Sequence, residues 1–369
     1  MLPQAGNHRI ANILFGIAVF ALAMAPCGPA WAQFAGGGLS SNGVSVSGYF
    51  DVQAVGRNAE LGKNDFQIGQ LAVELSSDLS RRVTAGMEIA YGFDENVAID
   101  EAFVDWNVYQ WDGKPRVNPL GTISAGFMAG QFDVPFGLDW RSYRSVDRPL
   151  VSMPTVIANT HRGWNDLGVE FHGEQTWANW SVFAVNGFGT SKTLRMPERA
   201  APTGLVAGGN DAASDDVFPT EAYGARFGLV VNEHIEFGTS FAAGYTDNNE
   251  QDERLFGFDL TGRTDEFELK GEFISHERHR VGGKETVFGF YAQGMYSVDE
   301  HWFGVVRQDV FNADGAVVWP QNVAMTNTLL STSAGAGYRV GPGAQVRVEY
   351  QLTDGANNDT VFLQTAVGF

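Results

Sequence analysis

The chain ends in Val361-Phe-Leu-Gln-Thr-Ala-Val-Gly-Phe369, where apolar residues occupy nearly every second position up to the terminal phenylalanine. A similar alternation runs through Val44-Ser-Val-Ser-Gly-Tyr-Phe-Asp-Val-Gln53. It recurs in three further stretches: Arg82 to Phe93, Asp265 to Ile274 and Ala344 to Leu352. Successive side chains of a β-strand point to opposite faces, so this period of two predicts strands with one apolar and one polar face.

The connections between these strands fall into two classes. We count about sixteen strands, and the connections after even-numbered strands are mostly short, with Gln110 to Leu120 as the exception. The long connections follow odd-numbered strands: Phe132 to Asn165, Gly189 to Glu221 and Asn312 to Asn327. Short turns at one end and long loops at the other are typical of bacterial membrane barrels, which have an even strand number. Four tryptophans lie beside the connections after even-numbered strands, the predicted inner turns, where an aromatic girdle is expected: Trp111, Trp177, Trp180 and Trp302.

The predicted fold class is therefore all-β, a closed antiparallel transmembrane β-barrel of about 16 strands. Counts of about 14 or 18 remain open, because alternation sets strand boundaries poorly. The alternative is a soluble β-sandwich or solenoid with the same pattern. A secreted β-rich chain of this length more often carries disulfides, whereas the only cysteine is Cys27. A closed barrel satisfies its backbone groups in lipid without disulfides.

Residues 1–32 are predicted to be a signal peptide, with residues 33–369 forming the barrel domain. His8 and Arg9 precede an apolar stretch from Ile13 to Ala25, and Ala30-Trp-Ala32 fits the small-x-small rule for cleavage. The apolar stretch is shorter than the ~20 residues that a membrane-spanning helix needs. Pro26 disfavours a lipid anchor on Cys27. The expected destination is the outer membrane of a Gram-negative cell.

The charge of the chain excludes some partners. The net charge is −19, and removal of residues 1–32 takes away Arg9 and no acidic residue. This charge disfavours nucleic acid as a partner, because phosphates require a basic surface. No run of about 18 apolar residues follows residue 32, so a helical membrane protein is not predicted.

Two motifs resemble a porin family that includes the phosphate-selective O and P porins. Glu101-Ala-Phe-Val104 matches the family's acidic "E-A-Y/F-V" strand, and Gly130-Gln-Phe-Asp-Val-Pro-Phe-Gly-Leu138 matches its "G-Q/K-F-x-x-P-F-G-L". The terminal Phe369 resembles the C-terminal signal that the barrel assembly machinery recognises. The family resemblance implies a sixteen-stranded barrel, often a homotrimer in outer-membrane lipid, with a third loop folded into the lumen.

The segment from Phe132 to Asn165 is the counterpart of that loop, because it follows the fifth strand and is too long for a simple hairpin. Its charged residues are the predicted pore constriction: Arg141, Arg144, Arg148, Arg162, Asp133 and Asp139. Charged constrictions are one means by which pores select ions. The alternative, given equal weight, is that these arginines pair with neighbouring acids on an exposed loop.

The polar faces of the strands predict a lumen wall rich in carboxylates. Its predicted members are Glu88, Glu266, Glu268, Lys270, Glu272, Arg347 and Glu349. Such a wall should attract cations and repel phosphate, so the family's phosphate selectivity does not carry over to this chain. Anion selectivity remains the alternative, in which the loop arginines dominate locally.

No catalytic, cofactor-binding or metal-binding residues are predicted. His276 and His279 are spaced for one side of a helix rather than a strand, and no third ligand is apparent. A barrel enzyme or an adhesin acting through Gly189 to Glu221 is the rival class. The predicted function is passive diffusion of small polar solutes and ions through an outer-membrane pore, general or mildly cation-preferring.

Overall fold

The computed structural model describes residues 39–41, 43–57, 64–91, 97–111, 123–141, 144–188, 221–246, 251–280, 283–312, 317–318, 323–324, 328–354 and 359–369. Strands make up most of them. No helix in these ranges is long and apolar enough to cross a membrane. The predicted signal peptide and most of the loop from Gly189 to Glu221 lie outside the described residues.

Sixteen long strands follow one another along the chain. They are β1 (Val44–Arg57), β2 (Asn64–Ser80), β3 (Val83–Tyr91), β4 (Val97–Trp111), β5 (Ile123–Asp133), β6 (Asn165–Gln175), β7 (Ala178–Val185), β8 (Ala222–Asn232), β9 (Ile235–Thr246), β10 (Gln251–Arg263), β11 (Phe267–Arg280), β12 (Gly283–Ser297), β13 (Trp302–Asn312), β14 (Thr328–Gly341), β15 (Ala344–Thr353) and β16 (Thr360–Gly368). Two short strands, Val317–Val318 and Val323–Ala324, pair with each other apart from this sheet.

Each long strand pairs antiparallel with the next, and β16 pairs with β1 to close the sheet. Gly48 and Phe369 complete the seam, because the Gly48 amide donates to the Phe369 carbonyl at 3.0 Å and the Phe369 amide donates to the Gly48 carbonyl at 2.9 Å. A short strand, Leu39–Ser41, also pairs with the start of β1. The predicted closed antiparallel barrel of sixteen strands is thus confirmed.

The two faces of the barrel differ sharply in chemistry. Along β15, Val348, Tyr350 and Leu352 are exposed, while Arg347 and Glu349 are buried. The other strands repeat this pattern, with large apolar side chains on one face and buried polar groups on the other. A continuous apolar surface is costly in water and stable against hydrocarbon, so the apolar face suits contact with lipid.

The connections follow the predicted rule. Connections after even-numbered strands are mostly short, for example Thr176-Trp177 between β6 and β7 and Pro342-Gly343 between β14 and β15, and the exception is residues 112–122 between β4 and β5. The longest ones follow β5 and β7. The segment after β5, residues 134–164, contains a 3-10 turn at Asp139–Arg141 and a short helix, α1, at Thr155–Thr160. We call it the β5–β6 loop.

The β5–β6 loop packs into an apolar cluster on the same face as the buried polar residues. Its members on the loop are Val134, Phe136, Met153, Val156, Ile157 and Trp164. Its members on the strands are Phe132 on β5 and ten residues from β7 to β14: Phe183, Val185, Ala222, Ala242, Leu255, Ile274, Val287, Tyr291, Phe311 and Leu329. Burying a large apolar side chain stabilises by roughly 1.5–3 kcal/mol, so this cluster fixes the loop against half of the barrel.

Candidate functional site

The two sequence motifs shape the start of the β5–β6 loop. Gly130 has φ +136° and Gly137 has φ +62°, conformations that L side chains rarely adopt. Between them, Gln131 donates from Nε2 to the Asp100 carbonyl and to Asn165 Oδ1, both at 2.9 Å. Phe132 is buried in the apolar cluster. The motif residues therefore turn the chain and anchor it between β4 and β6.

Side chains of β8, β9 and β11 hold the backbone of the first half of the loop. The Gly137 amide donates to Ser240 Oγ at 3.0 Å, and its carbonyl accepts from Arg226 Nε at 2.9 Å. The Leu138 amide donates to Glu272 Oε1 at 3.3 Å. The loop thus contacts the polar face of strands remote from β5 in the chain.

Side chains of β2, β13 and β15 hold the second half. The Ser145 amide donates to Gln70 Oε1 at 2.7 Å, and the Val151 amide donates to Glu349 Oε2 at 2.7 Å. The Thr155 amide donates to Asp309 Oδ1 at 2.8 Å. Hydrogen bonds to charged groups stabilise by about 1.5–3 kcal/mol each, so the loop is fixed along its length.

Arg141 contacts the wall at β7 and β9. Its Nη1 lies 3.1 Å from Glu236 Oε1, and its Nη2 donates to Asn179 Oδ1 at 3.3 Å. The guanidinium lies 5.0 Å from the centre of the Trp140 ring. About a third of the side chain, 35%, stays exposed, so the charge is paired but accessible.

Arg144 contacts the opposite part of the wall, at β2. Its Nη1 lies 2.9 Å from Glu74 Oε1, and its Nε lies 2.7 Å from Asp147 Oδ2 on the loop itself. Burial alone would lower the pKa of Arg144, but the two carboxylates raise it above its ordinary value. The side chain is 47% exposed. Arg144 therefore carries a permanent charge beside open space.

The remaining predicted constriction residues have surroundings different from those of Arg141 and Arg144. Arg148 lies in a pocket beside Lys270 and Arg307. Arg162 follows α1, where its amide donates to the Ile157 carbonyl at 3.0 Å. Asp133 ends β5 and accepts from Asn165 Nδ2 at 3.1 Å. The Asp139 side chain is not among the described ones.

Carboxylates gather on the polar face of β2 to β4, next to Arg144. Glu74 is the cross-strand neighbour of Glu88, which is in turn the neighbour of Glu101. Asp100 is the extra residue of a bulge beside Glu101. Like charges directly opposite each other destabilise a sheet, so this arrangement points to function rather than stability. We call Glu74, Glu88, Asp100, Glu101 and the nearby Asp133 the acidic belt.

The other predicted wall residues are mostly on the polar face. Glu272, Arg347 and Glu349 are buried there. Glu268 also lies there and pairs with Lys270 at 2.9 Å and with Arg263 at 2.7 Å.

Glu266 has different surroundings from the other predicted wall residues. It lies exposed in the turn between β10 and β11, because the strand starts at Phe267, two residues after the start of the alternating stretch. The loop arginines with described ion pairs bind Glu236 and Glu74.

Sequence reasoning missed several residues that hold the loop, notably Gln70, Ser240 and Asp309. Each belongs to the polar face of its strand, so alternation could have placed them there. Their contacts with the loop depend on its path across the barrel, which alternation does not report.

A contact between a histidine and an aspartate is relevant to the alternative that the barrel is an enzyme. His172 Nε2 lies 3.0 Å from Asp105 Oδ1, and Ser181 is the cross-strand neighbour of His172. Ser181 Oγ is buried, and the carboxylate with which it interacts is that of Glu170. A nucleophile activated by a base requires a hydrogen bond between the two. Within the ranges that the structure describes, no group of three or more His, Cys, Asp or Glu residues could hold a metal ion.

The barrel is similar to solved outer-membrane proteins, at very low sequence identity. OmpT of Vibrio cholerae in its trimer form is 9% identical with a TM-score of 0.58, covering 88% of this chain and 99% of that one. The anion-selective porin from Comamonas acidovorans is 10% identical with a TM-score of 0.54, covering 88% of this chain and 99% of that one. Salmonella typhi OmpF in complex with daunomycin is 8% identical with a TM-score of 0.56, covering 90% of this chain and 100% of that one. No protein-family model and no curated protein matches the chain. Similarity at this identity establishes a porin-like fold.

Proposed function

We propose that the protein is an outer-membrane porin that lets small polar solutes and ions diffuse passively, with a mild preference for cations. The porin-like barrel, its apolar outer face and the porins among its structural neighbours support this assignment. The observation that carries it is Arg144, a partly exposed loop cation that faces the acidic belt.

The polar face is taken as the inner wall, and the β5–β6 loop as a barrier across the lumen. The apolar cluster fills the side of β7 to β14. We place the open path on the side of β2 to β5, between Arg144 and the acidic belt, beside the smaller cluster in which loop residue Val146 packs against Tyr49, Ala72 and Ala90. A solute passing there meets one guanidinium on the loop and several carboxylates on the wall. Size is limited by a loop that the wall holds at Gly137, Ser145 and Val151.

Cation preference follows from the balance of charge along that path. Arg144 is already paired with Glu74 and Asp147, which leaves Asp100, in the bulge beside Glu101, as a further carboxylate on the wall. A wall of one sign concentrates counter-ions and excludes co-ions. Phosphate is therefore disfavoured on this path, and the family's phosphate selectivity is not proposed.

The first test is conductance of the purified, refolded protein in planar bilayers, with potassium chloride gradients followed by phosphate. Stable current steps support the proposal if the sign of the reversal potential indicates that cations permeate more readily than anions. Anion preference with block of the current by phosphate would assign the path to the loop arginines. Absence of steps from protein with correct barrel folding would favour an enzyme or adhesin on the same barrel.

Assembly as a homotrimer in outer-membrane lipid is part of the proposal, since one structural neighbour is described in a trimer form. Phe369 is proposed as the residue that the assembly machinery recognises, because its side chain is about a third exposed at the end of the closing strand. Cross-linking in native membranes tests the trimer. Deletion of Phe369 should reduce the amount of folded barrel in the outer membrane.

A further inference from the structure

We propose that a compact inorganic anion of halide size binds in a pocket between the β5–β6 loop and strands β11 to β13. The pocket measures about 30 Å³. Its polar lining comes from Arg148 and Ser152 on the loop and from Lys270, Gln293 and Arg307 on the strands. The site lies on the side of the loop away from the acidic belt and does not depend on the transport function.

Arg148 is the first reason. Arg141 and Arg144 each form a close ion pair with a wall carboxylate, whereas Arg148 has no ion pair within the described part of the chain. Its Nε is buried without a hydrogen-bond partner there. Buried donors are almost always satisfied, and an exception calls for an unseen water or ion.

The charge around Arg148 is the second reason. Lys270 is neutralised by Glu268 at 2.9 Å, and Arg307 by Asp309 at 2.8 Å. Arg148 has no such close ion pair among the described residues, so its guanidinium is the cation in the pocket lining that lacks a carboxylate within 4 Å.

A further arginine interacts with Arg148. Arg347 is 1% exposed, its Nε and Nη1 have no described partner, and the charge of Arg148 acts on it against the opposite charges of Asp51 and Glu349. The Glu349 carboxylate also accepts hydrogen bonds from the amides of Val151 and Ser152. Two guanidiniums repel each other strongly where water is scarce. An anion beside Arg148 removes that repulsion and satisfies the free donor.

Size and chemistry define the class of ligand. A cavity needs a volume of about 10–15 Å³ to hold one water molecule. The pocket, at about 30 Å³, therefore suits an ion little larger than water. Its side-chain donors are N–H groups of Arg148, Lys270 and Gln293. A halide, of which chloride is the abundant member, fits this description, whereas an organic acid or a nucleotide does not. The bound ion would tie the loop to β11, β12 and β13.

The experiment uses the full barrel refolded in detergent. Its thermal midpoint is measured against increasing sodium chloride, with sodium gluconate keeping the ionic strength constant. The midpoint is expected to rise with chloride. Arg148→Gln should raise the half-saturating chloride concentration at least about tenfold, the loss expected for a charged hydrogen bond. Arg81→Gln, which removes one exposed charge from the β2–β3 turn, should leave that concentration unchanged.

Crystals grown with bromide in place of chloride provide an independent readout, because they should show anomalous density beside Arg148. The proposal is overturned by a pocket that holds only water in those crystals. It is equally overturned if the wild type responds identically to chloride and gluconate, or if Arg148→Gln keeps the wild-type chloride dependence.

Discussion

Replacing Arg144 with glutamine should make the pore more cation-preferring. The side chain is nearly half exposed and is the loop charge that faces the acidic belt. The substitution removes one positive charge and releases Glu74 and Asp147 from their ion pairs. Cations on the proposed path then lose a repulsive neighbour, and anions lose an attractive one.

The size of the effect follows from Coulomb's law. At about 8 Å in water, one unit charge acts on another with about 0.5 kcal/mol. Screening reduces this to roughly 0.2 kcal/mol at 0.1 M salt and roughly 0.4 kcal/mol at 0.01 M. Because cations gain what anions lose, the permeability ratio should rise about twofold at 0.1 M and about fourfold at 0.01 M.

The assay is the reversal potential in planar bilayers under potassium chloride gradients at both salt levels. Arg81→Gln is the matched control, since it removes one charge from a turn and should leave the ratio close to that of the wild type. A ratio that stays constant or falls in Arg144→Gln would refute the placement of this side chain on the ion path. So would a change of equal size at high and low salt, because a screened charge must act more strongly at low salt.

Three further predictions concern the loop itself. Phe136→Ala should lower the unfolding free energy by about 3–5 kcal/mol, since the ring is completely buried in the apolar cluster; urea unfolding followed by tryptophan fluorescence measures it, and Phe256→Ala on the lipid-facing surface should cost clearly less. Gly137→Ala should lower the unfolding free energy by at least about 1 kcal/mol and make the loop sensitive to protease, because φ is +62° and the added methyl group would overlap Glu272 Oε1. Gly304→Ala, whose added methyl group would meet open space, should leave the rate of proteolytic cleavage unchanged. Burial lowers the pKa of His161 to about 3, so below about pH 6.5 the unfolded chain binds a proton that the folded chain does not. The unfolding free energy should therefore fall by about 2 kcal/mol from pH 7 to pH 5. His161→Gln should lose this part of the pH dependence, and an unchanged slope would contradict the burial of a neutral ring.

The alternation of residues was enough to predict the barrel and the facing of many side chains. Arg347 and Glu349, two positions apart in β15, are on the polar face as expected, because lipid and lumen impose a period of two on every strand. The pattern does not mark where a hydrogen-bonded ladder begins. Glu266 shares the parity of Glu268 but lies one residue outside β11, in a turn.

The partners of the loop arginines could not be predicted, for a different physical reason. Arg144 meets a carboxylate 70 positions away in the chain, and Arg141 meets one 95 positions away. Such pairs depend on the tilt of the strands and on the path of the loop across the barrel. Both emerge only when the sheet closes. The motifs from Glu101 to Leu138 located the loop, but its contacts with Gln70, Ser240 and Asp309 are a property of the closed sheet.

The wall grips the β5–β6 loop largely by its main chain, through the amides of Gly137, Ser145, Val151 and Thr155. Every amino acid except proline offers such an amide, so the contacts at Ser145, Val151 and Thr155 do not depend on the side chains at those positions, whereas at Gly137 an added Cβ would overlap Glu272. The barrel can therefore exchange the charges it shows to a passing solute without giving up the scaffold that presents them. In evolution or in the laboratory, new permeants are then reached by single substitutions on a loop whose position is inherited.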